Sequence, residues 1–209
     1  MTTSVPVLGA KESTESGTKR SPLRPSMVSL WLGVSYDSPA DQFLGVTPGR
    51  DFHEFAFRMG WRLVDARLLR LDYTLDLIPL AMITNNPRYS IGATTFNGMR
   101  QRRITDYETE YGIGAAPFGL RVGVPLLTRW FVFASGSAGF LAFEGRVPTY
   151  GASYFNFTFD FGGGVEASIT NRWGIYAGYK LHHLSNGGRA YENPGIDSNI
   201  FYLGATGSY

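Results

Sequence analysis

The sequence has 209 residues, no cysteine and a formal charge of +2, with 17% charged and 44% hydrophobic residues, 26 glycines and 15% aromatics. That length bounds the chain to a single domain of ordinary size, and without cysteine there is no disulfide framework, thiolate metal site or cysteine nucleophile. The near-neutral charge, with no Lys/Arg cluster interleaved with aromatics, excludes nucleic acid as a partner, while the glycine and aromatic content points to a β-rich or membrane protein.

In chain order, residues 1–27 come first, a polar run rich in Ser, Thr and Pro without the apolar core of a signal peptide. They read as a disordered N-terminal segment preceding one domain over 28–209. The longest nearly uncharged apolar stretch, Phe131 to Phe143, falls short of the roughly 20 residues that span a bilayer as a helix. A membrane crossing by this chain therefore needs strands.

Side chains of a half-buried strand alternate between two faces. Phe55, Phe57, Met59, Trp61 and Leu63 alternate with Ala56, Arg58, Gly60 and Arg62; Leu69, Leu71, Tyr73, Leu75 and Leu77 with Arg70, Asp72, Thr74 and Asp76; and Phe155, Phe157, Phe159 and Phe161 with Asn156, Thr158 and Asp160. The same test predicts strands at 28–36, 52–63, 66–80, 115–124, 129–144, 154–169, 173–184 and 198–209. The predicted fold class is all-β, an eight-stranded antiparallel transmembrane β-barrel of the outer membrane, eight being the smallest common barrel size.

Predicted connections alternate between short turns near Val64 and Asp65, Leu126 to Thr128 and Thr170 to Arg172, and long loops at 37–51, 81–114, 145–153 and 185–197. Short periplasmic turns and longer external loops characterise outer-membrane barrels. Trp31, Trp61, Trp130 and Trp173 are all expected at the short-turn ends, at the membrane interface. A soluble sandwich or lipocalin-like barrel also alternates, with the apolar face inward; loop asymmetry and tryptophan placement favour the membrane orientation. Arg58, Arg62, Arg70, Arg121, Asp72, Asp76, Asp160 and Glu166 then face a narrow lumen and neutralise one another there.

The chemistry-bearing residues fall at the outer end of the seventh strand. Alternation from Ile175 through Ala177, Tyr179 and Leu181 brings His183 and Ser185 to the lipid-facing side, two residues apart, so that the imidazole can serve the hydroxyl as a base. His182 faces inward with Lys180. Orienting carboxylates are available from Asp197 at the start of the eighth strand and from Glu192 on the loop, and backbone amides at Asn186, Gly187 and Gly188 are candidate oxyanion donors. His53 carries no assigned role. A non-enzymatic structural or adhesin-like barrel, in which His183 and Ser185 only cap a strand, accounts for the same fold.

The segments His183-Leu184-Ser185-Asn186-Gly187-Gly188 and Asn193-Pro194-Gly195-Ile196-Asp197-Ser198 resemble the motifs of the PagL-type lipid A 3-O-deacylases over residues 176–202. The resemblance implies an eight-stranded barrel in the bacterial outer membrane that hydrolyses an ester-linked 3-hydroxyacyl chain of lipid A in lipopolysaccharide. It implies Ser185 as nucleophile, His183 as general base and Asp197 as triad acid, with Asn186, Gly187 and Gly188 at or near the oxyanion hole, and it requires neither metal nor cofactor. The family's acid is usually glutamate, one methylene longer than Asp197. Arg100, Arg102, Arg103 and Arg189 are candidate contacts for lipid A phosphates. The oligomeric state is not encoded legibly.

Overall fold

A computed structural model describes residues 24–96 and 99–209, with side chains described except at 89–103 and 127. The polar segment expected to be disordered falls outside the described residues up to residue 23. Eight strands follow: β1 (Met27–Ser35), β2 (Asp51–Ala66), β3 (Leu69–Phe96), β4 (Met99–Leu127), β5 (Trp130–Val147), β6 (Ser153–Ser168), β7 (Trp173–Ser185) and β8 (Ile196–Ser208). Each pairs antiparallel with the next and β1 pairs with β8, closing the barrel.

Alternation sets the two faces. On β1, Leu30 and Leu32 are about half exposed on the outer wall while Trp31 between them is buried. On β6, Phe155, Phe157, Phe159 and Phe161 project outward, whereas Asn156, Thr158 and Asp160 are buried in the lumen. A continuous apolar exterior of this kind is stable only against lipid.

The lumen is filled by ion pairs. Arg58 makes a two-pronged contact with Asp76, both bonds 2.7 Å, Arg62 pairs with Asp72, and Arg121 reaches Glu166 at 2.6 Å. Lys180 bridges Glu54 at 2.7 Å and Asp160 at 3.1 Å. Each of these charges is met by an opposite one, the condition for tolerating it in a low-dielectric interior. Arg70, also expected in this set, stands over the Phe131 ring at 4.8 Å.

Three sequence-derived expectations need correction. The stretch 81–114 is not a loop: β3 and β4 continue as a paired hairpin through Asn86↔Glu108 and Arg88↔Asp106 to Phe96↔Met99, with repeated register shifts. The first short turn is at Arg67 and Leu68, because Val64 and Ala66 still pair with Leu71 and Leu69. Trp130 and Trp173 are exposed at the short-turn end and Trp61 is near it, but Trp31 faces inward, its ring 4.3 Å from the Lys180 ammonium and 5.8 Å from the Arg58 guanidinium. Two cations beside one indole ring explain why this aromatic belongs inside.

Candidate active site on the outer wall

β7 and β8 run side by side with His183 directly opposite Asp197 in their register. Directly opposed side chains share a face, so the imidazole and the carboxylate meet without crossing the sheet. His183 Nδ1 and Asp197 Oδ1 are 2.7 Å apart, and the two residues are 8% and 0% exposed. With the proton on Nδ1, the ring donates to the carboxylate and leaves Nε2 free as a base. Because the pair are direct cross-strand neighbours, the shorter aspartate side chain is long enough to reach the histidine.

The other carboxylate oxygen is also occupied. The backbone amides of Phe43 and Leu44 donate to Asp197 Oδ2 at 2.6 and 3.0 Å. These residues belong to the β1–β2 connection, residues 36–50. Its base is tied by Ser38, whose hydroxyl donates to the Thr47 carbonyl at 3.0 Å and accepts from the Arg50 amide at 3.0 Å. Its tip lies on the outer wall, where the Phe43 ring packs near His183, Phe159 and Phe161 at centroid separations of 6.3, 6.5 and 5.7 Å. His183 is on the lipid-facing side, as alternation expects, and is in addition covered by this loop. Nothing in residues 176–202 signals these partners; the only hint is the apolar run Phe43-Leu44-Gly45-Val46 within an otherwise polar loop.

Ser185 ends β7 on the same face as His183, opposite Phe157 of β6. Among the described residues no hydrogen bond joins Ser185 to His183; such contacts are commonly loose before substrate arrives. Past Ser185 the chain turns sharply. Gly187 and Gly188 have φ values of +64° and +75°, and the Arg189 amide donates back to the Asn186 carbonyl at 3.3 Å. Two successive left-handed residues define a type I′ turn, which favours glycine at both positions.

Asn186 is buried and fully used within this loop. Its backbone amide donates to Asn193 Oδ1 at 2.9 Å, its Nδ2 to the Glu192 carbonyl at 2.7 Å, and its Oδ1 accepts from the Arg189 amide at 3.1 Å. The Asn186 amide, expected to join those of Gly187 and Gly188 around an oxyanion, is therefore committed to Asn193. Among the described residues, the amides of Gly187 and Gly188 have no intramolecular acceptor.

Glu192, the other carboxylate near the motif, accepts from Thr149 Oγ1 at 2.6 Å, and its amide donates to the Gly151 carbonyl at 3.0 Å. It joins the β5–β6 and β7–β8 loops. His182 faces the lumen, stacked on Phe52 at 4.9 Å. His53 meets only Tyr36, at 5.4 Å, among the ring contacts of the described residues. Arg189 stands over the Phe157 ring at 4.6 Å, beside Ser185, whereas the side chains of Arg100, Arg102 and Arg103 are outside the described residues.

A closed ring of eight strands with a charged lumen and an apolar wall defines an outer-membrane β-barrel. The chain belongs to the lipid A 3-O-deacylase (PagL) family, whose model matches residues 69–206. A solved structure of the outer membrane enzyme PagL superposes with a TM-score of 0.58 at 15% identity, covering 84% of this chain and 97% of that chain. Neisserial surface protein A superposes with a TM-score of 0.51 at 11% identity, over 88% of this chain and 97% of that chain. At these identities the likenesses establish the barrel architecture. No curated protein matches the sequence.

Proposed function

We propose that this chain is a serine esterase that removes an ester-linked 3-hydroxyacyl chain from lipid A. The reading is carried by the buried His183–Asp197 pair, 2.7 Å apart on the outer wall, with Ser185 two residues along the same face. A buried imidazole bonded to a carboxylate on a lipid-facing wall serves no packing need that leucine would not meet. Family membership supplies the substrate class, and the position of the pair suits an ester at the headgroup boundary with its acyl chain still in the bilayer.

Ser185 Oγ attacks the ester carbonyl while its proton passes to His183 Nε2. Asp197 holds the ring in the tautomer that makes Nε2 the base and stabilises the imidazolium that follows. The amides of Gly187 and Gly188 are the donors for the tetrahedral oxyanion, and Asn186 positions the turn that carries them. The imidazolium then protonates the departing sugar oxygen. Water, deprotonated by His183, attacks the acyl-serine to release the 3-hydroxy fatty acid and restore Ser185. No metal enters the scheme.

The test compares wild type with Ser185→Ala, refolded in detergent, on purified lipid A analysed by mass spectrometry. Release of a 3-hydroxy fatty acid by wild type alone is the expected result. Equal silence from two folded proteins on fully dispersed lipid A would overturn the reading in favour of a non-enzymatic barrel.

A further inference from the structure

We propose that the β1–β2 loop is part of the catalytic device: the backbone amides of Phe43 and Leu44 are the positioning groups that aim Asp197 at His183. The proposal rests on the esterase reading above and adds to it a chain segment outside both motif segments.

A short acid on β8 can turn either oxygen, or neither, towards its cross-strand neighbour; what selects one orientation is the occupancy of the other oxygen. Here Oδ2 is held by two amides at 2.6 and 3.0 Å while Oδ1 meets Nδ1 at 2.7 Å. The carboxylate is wholly buried, so without these donors one of its oxygens would face an apolar loop unsatisfied.

The loop is built for this contact. A Cβ on Gly45 would come within 2.5 Å of the Asp197 amide nitrogen and 2.6 Å of the Ile196 carbonyl carbon, so only glycine lets the loop approach β8 so closely. On either side of that point, the Val46 amide donates to the Pro194 carbonyl at 2.9 Å, and the side-chain amides of Gln42 and Asn199 exchange hydrogen bonds of 3.1 and 2.9 Å. The Asp41 amide closes the tip onto the Gly45 carbonyl at 3.0 Å. Phe43, seated near His183 and two β6 phenylalanines, keeps water from the His183–Asp197 hydrogen bond, where an exposed contact of the same length would count for less.

The experiment compares Leu44→Pro with Leu44→Ala. Both remove the same exposed side chain, but only proline removes the N–H that reaches Asp197. Folding is verified by the heat-modifiable gel migration of closed barrels. We expect kcat on lipid A to be about ten- to a hundredfold lower for Leu44→Pro than for Leu44→Ala, with KM values within about twofold of each other. A second readout is independent of turnover: the far-downfield Nδ1 proton resonance of His183 in detergent micelles, identified by its loss in His183→Ala. It should persist in Leu44→Ala and shift or vanish in Leu44→Pro.

Equal kcat for the two variants, or a difference confined to KM, with the resonance intact in both, overturns the proposal. If wild type itself releases no fatty acid, the esterase reading fails and the resonance alone decides whether the loop positions the pair. Should Leu44→Pro fail to fold, Gly45→Ala, whose Cβ must push the loop off β8, is judged by the same kcat and resonance criteria.

Discussion

Asp197 faces His183 as its direct register partner on the neighbouring strand, and the 2.7 Å contact between them uses no more than the short reach of an aspartate. Asp197→Asn keeps the shape and removes the charge, so kcat should fall by about a hundredfold or more. Asp197→Glu should also lose activity, because an added methylene must enter a fully buried site already closed by Phe43 and Leu44. Fatty-acid release by the two variants measures both effects. A glutamate variant as fast as wild type would show that the site is looser than its contacts.

Asn186 should act on the turn and not on the histidine. Asn186→Ala removes the side-chain bonds to the Glu192 carbonyl and from the Arg189 amide. Each hydrogen bond contributes about 1 kcal/mol, so the loop should open locally while the barrel stays intact. The expected outcome is reduced kcat, faster proteolytic nicking between residues 186 and 195, and an unchanged His183 resonance.

The Arg121–Glu166 pair is buried in the lumen at 2.6 Å. Arg121→Ala strands the carboxylate and should destabilise the barrel by about 3–5 kcal/mol, whereas replacing both partners with leucine should recover much of that loss. Urea unfolding in detergent, followed by gel migration, separates the two cases. A double variant no better than the single would show that Arg121 contributes mainly through its contacts with Phe131 and Phe133.

Tryptophan fluorescence distinguishes wall from lumen. In single-tryptophan variants refolded into brominated lipid, Trp130 and Trp173 should be quenched and Trp31 should be protected. Quenching of Trp31 as strong as that of Trp173 would place it outside the barrel.

The wall of the barrel is legible because lipid enforces parity: four phenylalanines at every second position of β6 have one place to go. The same parity, with Leu30 and Leu32 facing out, already puts Trp31 inside; its membrane-boundary placement followed from strand-end position, which here is the weaker cue. The hairpin over 81–114 is not legible as strands because register shifts between Ile78 and Ala81, Ile83 and Asn86, Arg88 and Tyr89, and Ile91 and Thr95 break the period of two on which the sequence reading depends. At the site, the adjacency of His183 and Asp197, and the shared face of His183 and Ser185, are legible through strand pairing and alternation. Phe43 and Leu44 are not, since they act through backbone amides that every residue possesses, and Asp197 is more than a hundred and fifty positions away in sequence.

The joint between β1 and β8 gives the loop contact a meaning in time. Asp197 is on the last strand, His183 on the one before it, and the amides that hold Asp197 come from the connection after the first. The loop therefore straddles the joint between the first and last strands. On the proposed reading, Asp197 lacks the amide donors and the cover of this loop until the last strand docks against the first, although its strand neighbour His183 is already beside it. Activity would then be a property of the closed barrel, switched on by the same strand pairing that completes it.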